Sequence, residues 1–296
     1  MQHDPIRPRD PLPVPAQDDK PQVPAAEFIQ TYFQRLGLPL PVTQPACSRA
    51  LLNTLQYAHV TRIPYENLDI LDGKPLPMTC DEQYQKMVLH RRGGYCFELN
   101  GIYAALLQAI GYQVKTCMGR FLRGESTIPM RRHRVILATC SEGTFICDAG
   151  VGQQAPRHPL LLAPDLIQEQ YGETYQVTRE PFFGYVIQTR HKGSWRPMYS
   201  FTEEEQLYVN FLMPSYYCEH APDSFFNKGM MLSIKTHDGR KTIDGNLFRI
   251  FCGDDVSETV ISEPEQLIAL LDESFNLEKP SLEQARTFLA AGSVRR

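Results

Sequence analysis

The sequence predicts an α+β fold in which a helical bundle, a β-barrel and a mixed helix and strand unit follow one another along the chain. Three observations predict it. Apolar residues recur at helical spacing up to Ile110, short alternating runs with turn signals come next, and both patterns share the last part of the chain. The divisions this implies are 1–25, 26–111, 112–215 and 216–296.

Residues 1–25 hold seven prolines among polar and charged residues. Such a stretch cannot bury enough apolar surface to offset its ordering entropy, so a disordered or loosely docked tail is expected. From Ala26, Phe28, Ile29, Tyr32, Phe33 and Leu36 share one helical face, and Gly37 ends the pattern. A second helix is expected from Ser48, with Leu51, Leu52, Leu55 and Ala58 inward. A third follows Thr79, where Thr79-Cys80-Asp81-Glu82 has capping-box form, and carries Tyr84, Met87 and Val88. The fourth opens after Gly93-Gly94 and presents Leu99, Tyr103, Leu106, Leu107 and Ile110 before Gly111 stops it.

The middle of the chain reads as strands at Tyr112–Met118, from Val135, and around Phe145. Tyr185–Arg190 and Ser194–Phe201 flank His191-Lys192-Gly193 as a tight hairpin, which places His191 at the surface. Strands at this spacing suggest a barrel or a strongly curved sheet. Further on, Asp238-Gly239 and Asp244-Gly245 separate three apolar runs into a meander. Ser262-Glu263-Pro264-Glu265 is expected to cap a helix carrying Leu267, Leu271 and Phe275, and a last helix after Ser281 places Leu282, Ala285, Phe288 and Leu289 on one face.

Composition bounds what this fold can do. With 296 residues, 42% hydrophobic and 22% charged, the chain has enough apolar material for a substantial core. A net charge of −4 gives no general case for nucleic-acid binding. No apolar run suits a membrane span and the polar, proline-punctuated start has no secretory core, so no membrane association and a cytoplasmic protein are expected. The eight cysteines are scattered without a Cys-x-x-Cys pair or a histidine at zinc spacing, so no metal is expected and disulfide staples are unnecessary.

One cysteine stands apart. Cys96 falls in the first turn of the helix that follows Gly93-Gly94, where unpaired N–H groups and the positive end of the macrodipole favour a thiolate. A small apolar packing residue is the plain alternative. A nucleophilic thiolate needs a base and something to orient that base. His133 stands at the entrance to an apolar strand and Asp148 at the end of the next, with Thr139-Cys140-Ser141-Glu142-Gly143 as the turn between them. Neighbouring strands could therefore carry the histidine and the carboxylate.

These residues sit inside four motifs. Arg92-Gly93-Gly94-Tyr95-Cys96-Phe97-Glu98-Leu99-Asn100, Ile63-Pro64-Tyr65-Glu66-Asn67-Leu68-Asp69, a histidine leading a hydrophobic strand at His133, and Asp148-Ala149-Gly150-Val151-Gly152 occur in that order. Over roughly residues 26–290 the chain closely resembles the arylamine N-acetyltransferases. The resemblance implies a transglutaminase/cysteine-protease-like catalytic core, with the C-terminal unit as an α/β lid over the active-site cleft. It implies a Cys96, His133, Asp148 triad that moves an acetyl group from acetyl-CoA, the co-substrate, to a small aromatic amine or hydrazine. It also makes Glu66 and Arg92 a candidate buried ion pair. For the CoA phosphates the local candidates are Arg131, Arg132 and Arg134, with Gly124, Ser126 and Thr127 offering amides and hydroxyls. For the acceptor, Tyr65, Phe97 and Phe121 offer an aromatic wall. Tyr65, Val151 and Gln153 depart from the family pattern, which bears on acyl-donor and amine selectivity. A thiol hydrolase or transglutaminase-like enzyme would use the same order of Cys, His and Asp.

Overall fold

The structure, a computed structural model, describes residues 20–122 and 127–292. Residues 1–19 of the proline-rich segment, together with Gly124 and Ser126, lie outside that range.

The helical part consists of α1 (Ala25–Arg35), α2 (Arg49–Arg62), the two-residue strand β1 (Tyr65–Glu66), α3 (Leu68–Leu71), α4 (Cys80–Gln83) and α5 (Cys96–Ile110). The apolar face of α1 is buried as its spacing requires, and Ser48 caps α2 by accepting from the Leu51 N–H. Thr79 and Glu82 form the expected capping box of α4, which then widens into a π-helical turn over Tyr84–Leu89. Gly111 ends α5 with a φ of 112°, which a side chain would resist.

A curled sheet follows, built from β2 (Gln113–Phe121), β3 (His133–Cys140), β4 (Gly143–Cys147), β5 (Leu160–Leu161), β6 (Ile167–Gln170), β7 (Glu173–Glu180), β8 (Gly184–His191) and β9 (Ser194–Glu205). Its eight strands run in the order β5-β4-β3-β2-β9-β8-β7-β6, all neighbours antiparallel. The two edge strands do not pair by backbone; side-chain amides join them. Gln168 exchanges bonds of 2.8 and 3.0 Å with the Leu161 backbone, and Gln170 does so with His158 at 2.5 and 2.9 Å. Glutamine thus stands in for the missing ladder and nearly closes the barrel. β6 and β7, in which only Tyr175 and Val177 are buried, were not anticipated from sequence.

Helix α6 (Tyr208–His220) leads to β10 (Met231–Lys235), β11 (Gly239–Asp244), β12 (Leu247–Cys252), β13 (Asp255–Val260), α7 (Pro264–Phe275) and α8 (Leu282–Ala290). The expected division at 215/216 falls inside α6, because the chain leaves the barrel at Glu205 and crosses to the lid through that helix. The anticipated meander is present as β10 to β12. The wholly exposed β13 extends it at one edge, and β1 pairs with β10 at the other. α7 begins differently from expectation: Glu263 is the cap residue with no side-chain cap bond, and Pro264 occupies the first turn. On α8, Ala285 and Phe288 face the core, while Leu282 is 37% exposed.

One apolar core runs unbroken from the bundle into the barrel, joining Phe28, Leu52 and Leu106 to Val135, Phe145 and Tyr199. A second lies within the lid around Leu267, Leu271 and Phe275. Among the described residues no helix is long and apolar enough to cross a membrane.

Candidate active site

Cys96 is the first residue of α5, fully buried where the helix start meets β3 and the turn after β4. Its Sγ lies 3.7 Å from the Arg132 carbonyl, next to His133. A Cβ at Gly150 would stand 2.8 Å from the Cys96 Cα, so only glycine lets the turn after Asp148 approach so closely. His133 Nε2 is 2.6 Å from Asp148 Oδ2, both side chains being buried. Asp148 is held in turn, since its Oδ1 accepts from Asn100 Nδ2 at 2.8 Å and from the Gly150 N–H at 3.0 Å. The structure therefore pairs His133 with Asp148 and sets the turn after Asp148 against the backbone of Cys96, whose Sγ meets the Arg132 carbonyl.

Asn100 is the contributor whose role was not legible from sequence, although it lies in the same motif one turn beyond Cys96. Its amide also donates to the Arg134 carbonyl at 2.6 Å, and its Oδ1 accepts from the Ala149 N–H at 3.0 Å. One side chain thus ties α5, β3 and the Asp148 turn together. Phe121 and Tyr199 pack against the imidazole with ring centroids at 4.7 and 5.0 Å. Burial and the Asp148 charge push the Tyr199 hydroxyl up, which keeps it neutral.

Electrostatics correct one expectation. Burial holds the Cys96 thiol well above its ordinary range, and Cys218 and Asp148 add to this, while hydrogen bonding from the backbone of Phe97 opposes it. The helix start alone does not produce a thiolate.

A buried charge network sets the entry to α5. Arg92 pairs with Glu66 at 2.8 Å and Asp69 at 2.9 Å, and Lys86 pairs with Asp69 at 2.7 Å and Glu98 at 2.6 Å. Glu98 also accepts from the Tyr95 N–H at 3.0 Å, and Glu66 from the Leu68 N–H at 2.6 Å. Burial raises Glu98 from 4.5 to about 7 even against Lys86. For Lys86 burial opposes the charge, but Glu98, Glu66 and Asp69 more than offset it and hold the ammonium above its usual range. The Glu66–Arg92 pair expected from the motifs is thus one edge of a five-residue network.

Beside Phe121, which packs on His133, lies a cleft of about 600 Å³ between barrel and lid, lined by Tyr65, Phe121, Val151, Phe225, Met231 and Phe251 among others. Tyr65 and Phe121 lie on its wall. Phe97 does not: it is fully buried against Tyr95 and Phe211, with centroids at 5.4 and 5.8 Å. The three arginines lie against different groups. Arg134 is 2% exposed with its guanidinium 4.7 Å over the Phe211 ring, because β3 is covered on both faces. Arg132 lies 4.9 Å over Phe225, and Arg131 pairs with Glu204 at 3.5 Å. Thr127 is exposed.

Comparison with known proteins places this chain in a class of acyltransferases. The model of the N-acetyltransferase family (Acetyltransf_2) matches residues 50–283. The chain is 31% identical over 253 residues to the arylamine N-acetyltransferase / N-hydroxyarylamine O-acetyltransferase of Salmonella typhimurium, covering 84% of this chain and 89% of that protein. A solved arylamine N-acetyltransferase structure from Salmonella typhimurium superposes with a TM-score of 0.84 at 28% identity, covering 89% of this chain and 98% of that one. The Mycobacterium marinum arylamine N-acetyltransferase in complex with CoA shares the fold, with a TM-score of 0.81 at 24% identity over 88% of this chain and 98% of that one. The chain belongs to the arylamine N-acetyltransferase family.

Proposed function

We propose that this enzyme moves an acetyl group from acetyl-CoA to the nitrogen of an aromatic amine or hydrazine in two displacements at Cys96. The observation that carries the reading is the buried Cys96 at the start of α5 beside the 2.6 Å His133–Asp148 pair. With Nε2 directed to Asp148, the imidazole keeps Nδ1, which has no hydrogen-bond partner among the described residues, as the nitrogen for the thiol proton. A thiolate that burial disfavours in isolation becomes accessible when the proton stays on a neighbouring imidazole held by a carboxylate.

The thiolate attacks the thioester carbonyl, and the CoA sulfur leaves with the proton from His133. An amine then attacks the Cys96 thioester, its proton passes to His133, and Cys96 is released. Neither substrate needs to be present with the other. The cleft presents the rings of Tyr65, Phe121 and Phe225, which suit an aromatic acceptor. The cytoplasm fits eight cysteines that are all unpaired.

Intact-protein mass spectrometry after incubation with acetyl-CoA alone tests this. One added acetyl group is expected on the wild type, absent in Cys96→Ala and removed by an arylamine. A Cys96→Ala protein that acetylates an arylamine at the wild-type rate would sink the reading.

A further inference from the structure

Arg134 is buried and Arg131 faces Glu204, which leaves room for charge from another part of the molecule to receive a phosphorylated donor. A second cavity, of about 670 Å³, opens between the barrel and the lid, and its wall includes Arg190, Arg196 and Arg240. It begins where the cleft ends. Gln153 borders both, and Phe121 lines the cleft while the next residue, Leu122, lines the second cavity. Gln153 departs from the family pattern, and here its Oε1 accepts from Arg240 Nε at 3.2 Å across the boundary.

The charge balance of this cavity is one-sided. Glu173 is the one carboxylate among the described residues on its wall. It is already engaged by Arg157 Nη1 and Lys235 Nζ, each at 2.6 Å, and by the Tyr175 hydroxyl at 3.1 Å. Arg190, Arg196 and Arg240 have no carboxylate partner among the described residues. The field leaves a trace nearby: burial lowers Lys235 to about 8, and Arg157 and Arg240 add to the fall against the pull of Glu173. The register of the sheet sets the floor, because Tyr175 pairs with Thr189 and Thr189 with Arg196 across three adjacent strands.

We propose that this cavity binds a phosphate-bearing group, and that in turnover the group is the phosphorylated nucleotide end of the CoA thioester, an assignment that rests on the acyl transfer proposed above. Planar guanidinium groups without competing carboxylates suit phosphate oxygens, which they meet in bidentate fashion. The boundary shared through Gln153 lets one extended donor occupy both spaces, its nucleotide among the arginines and its thioester in the cleft.

The test is calorimetric titration of adenosine 3′,5′-bisphosphate and of inorganic phosphate into wild type, Arg196→Gln and the Arg190→Gln/Arg196→Gln double variant. These side chains are exposed, so their loss leaves the core intact. Bisphosphate affinity is expected to fall roughly tenfold in the single variant and further in the double. The ratio of kcat/KM for acetyl-CoA to that for the phosphate-free donor 4-nitrophenyl acetate should fall by the same factor. Lys192→Gln, which removes a charge from the adjoining turn but not from the wall, should change neither. Equal bisphosphate affinity in wild type and the double variant overturns the cavity as a phosphate site. Weaker inorganic phosphate binding with an unchanged donor ratio overturns the assignment to CoA. Inactivity of the wild type toward both donors would count against acyl transfer alone, because calorimetry reads binding without turnover.

Discussion

At the scale of single residues, Asn100 and His59 carry the most consequence for their size. Asn100→Ala would remove the bonds to Asp148, Arg134 and Ala149 and leave the Ala149 N–H buried without its acceptor. A loss of about 2–4 kcal/mol in unfolding free energy is expected, checked by urea denaturation. A roughly 100-fold slower formation of acetyl-enzyme should accompany it, because Asp148 would lose its orientation. His59 is buried between the Tyr32 and Tyr103 rings, and burial lowers it from 6.5 to about 3. The unfolded chain therefore binds a proton below about pH 6.5 that the folded one refuses, so stability falls as the pH drops through that range. Between pH 7.5 and 5 this group should cost about 2 kcal/mol, a loss absent from His59→Phe when both proteins are unfolded in urea at the two pH values. Cys96, His133 and Asp148 are singled out by the motifs that resemble the family, because their spacing alone leaves many such combinations. Arg134 could not be placed, because every residue from His133 to Ala138 is buried and alternation carries no information in a strand covered on both faces.

At the scale of elements, the barrel closure shows why three of its eight strands escaped notice. β6 reads Ile-Gln-Glu-Gln and β7 Glu-Thr-Tyr-Gln-Val-Thr-Arg-Glu, polar enough to pass for loop, and their strand state depends on partners distant in sequence. The glutamines that look like solvent residues are the fasteners between β5 and β6. In a Gln168→Ala/Gln170→Ala variant four hydrogen bonds disappear, and about 2–4 kcal/mol of stability should go with them. Hydrogen exchange is the discriminating measurement: the amides of His158 and Leu161 should lose protection while those of β2 and β3 keep theirs. The capped helices were legible because Ser48, Thr79 and Ser281 satisfy local N–H groups with their own side chains. The exposed β13 gave no such local sign.

At the scale of the whole molecule, barrel and lid are fastened by Arg157, Glu173 and Lys235. Arg157 reaches from beyond the Asp148 turn to the Thr236 and Gly239 carbonyls of the lid, and Glu173 of the barrel binds Lys235 of the lid. Both cations are 2% exposed in their side chains, so Glu173→Ala would leave two buried positive charges without their carboxylate. A loss of about 3 kcal/mol in unfolding free energy is expected, at the lower end for a broken buried pair because Glu173 itself is 30% exposed. Denaturation followed at a probe in the lid and another in the barrel would check it, the lid probe being the more sensitive.

The short strand Tyr65–Glu66 sets an order of events as the chain is made. It supplies the outer edge of the lid sheet, pairing with Leu232 and Ser233, yet it lies in the helical part. A ribosome adding about 5–20 residues per second takes roughly 10–30 s to reach that partner after making Glu66. Throughout that interval the segment leading into the Cys96 helix has an unsatisfied backbone edge, open to chaperones or to another nascent chain. The entrance to the cleft is therefore among the last parts of the molecule to be sealed, well after Cys96 has been synthesised.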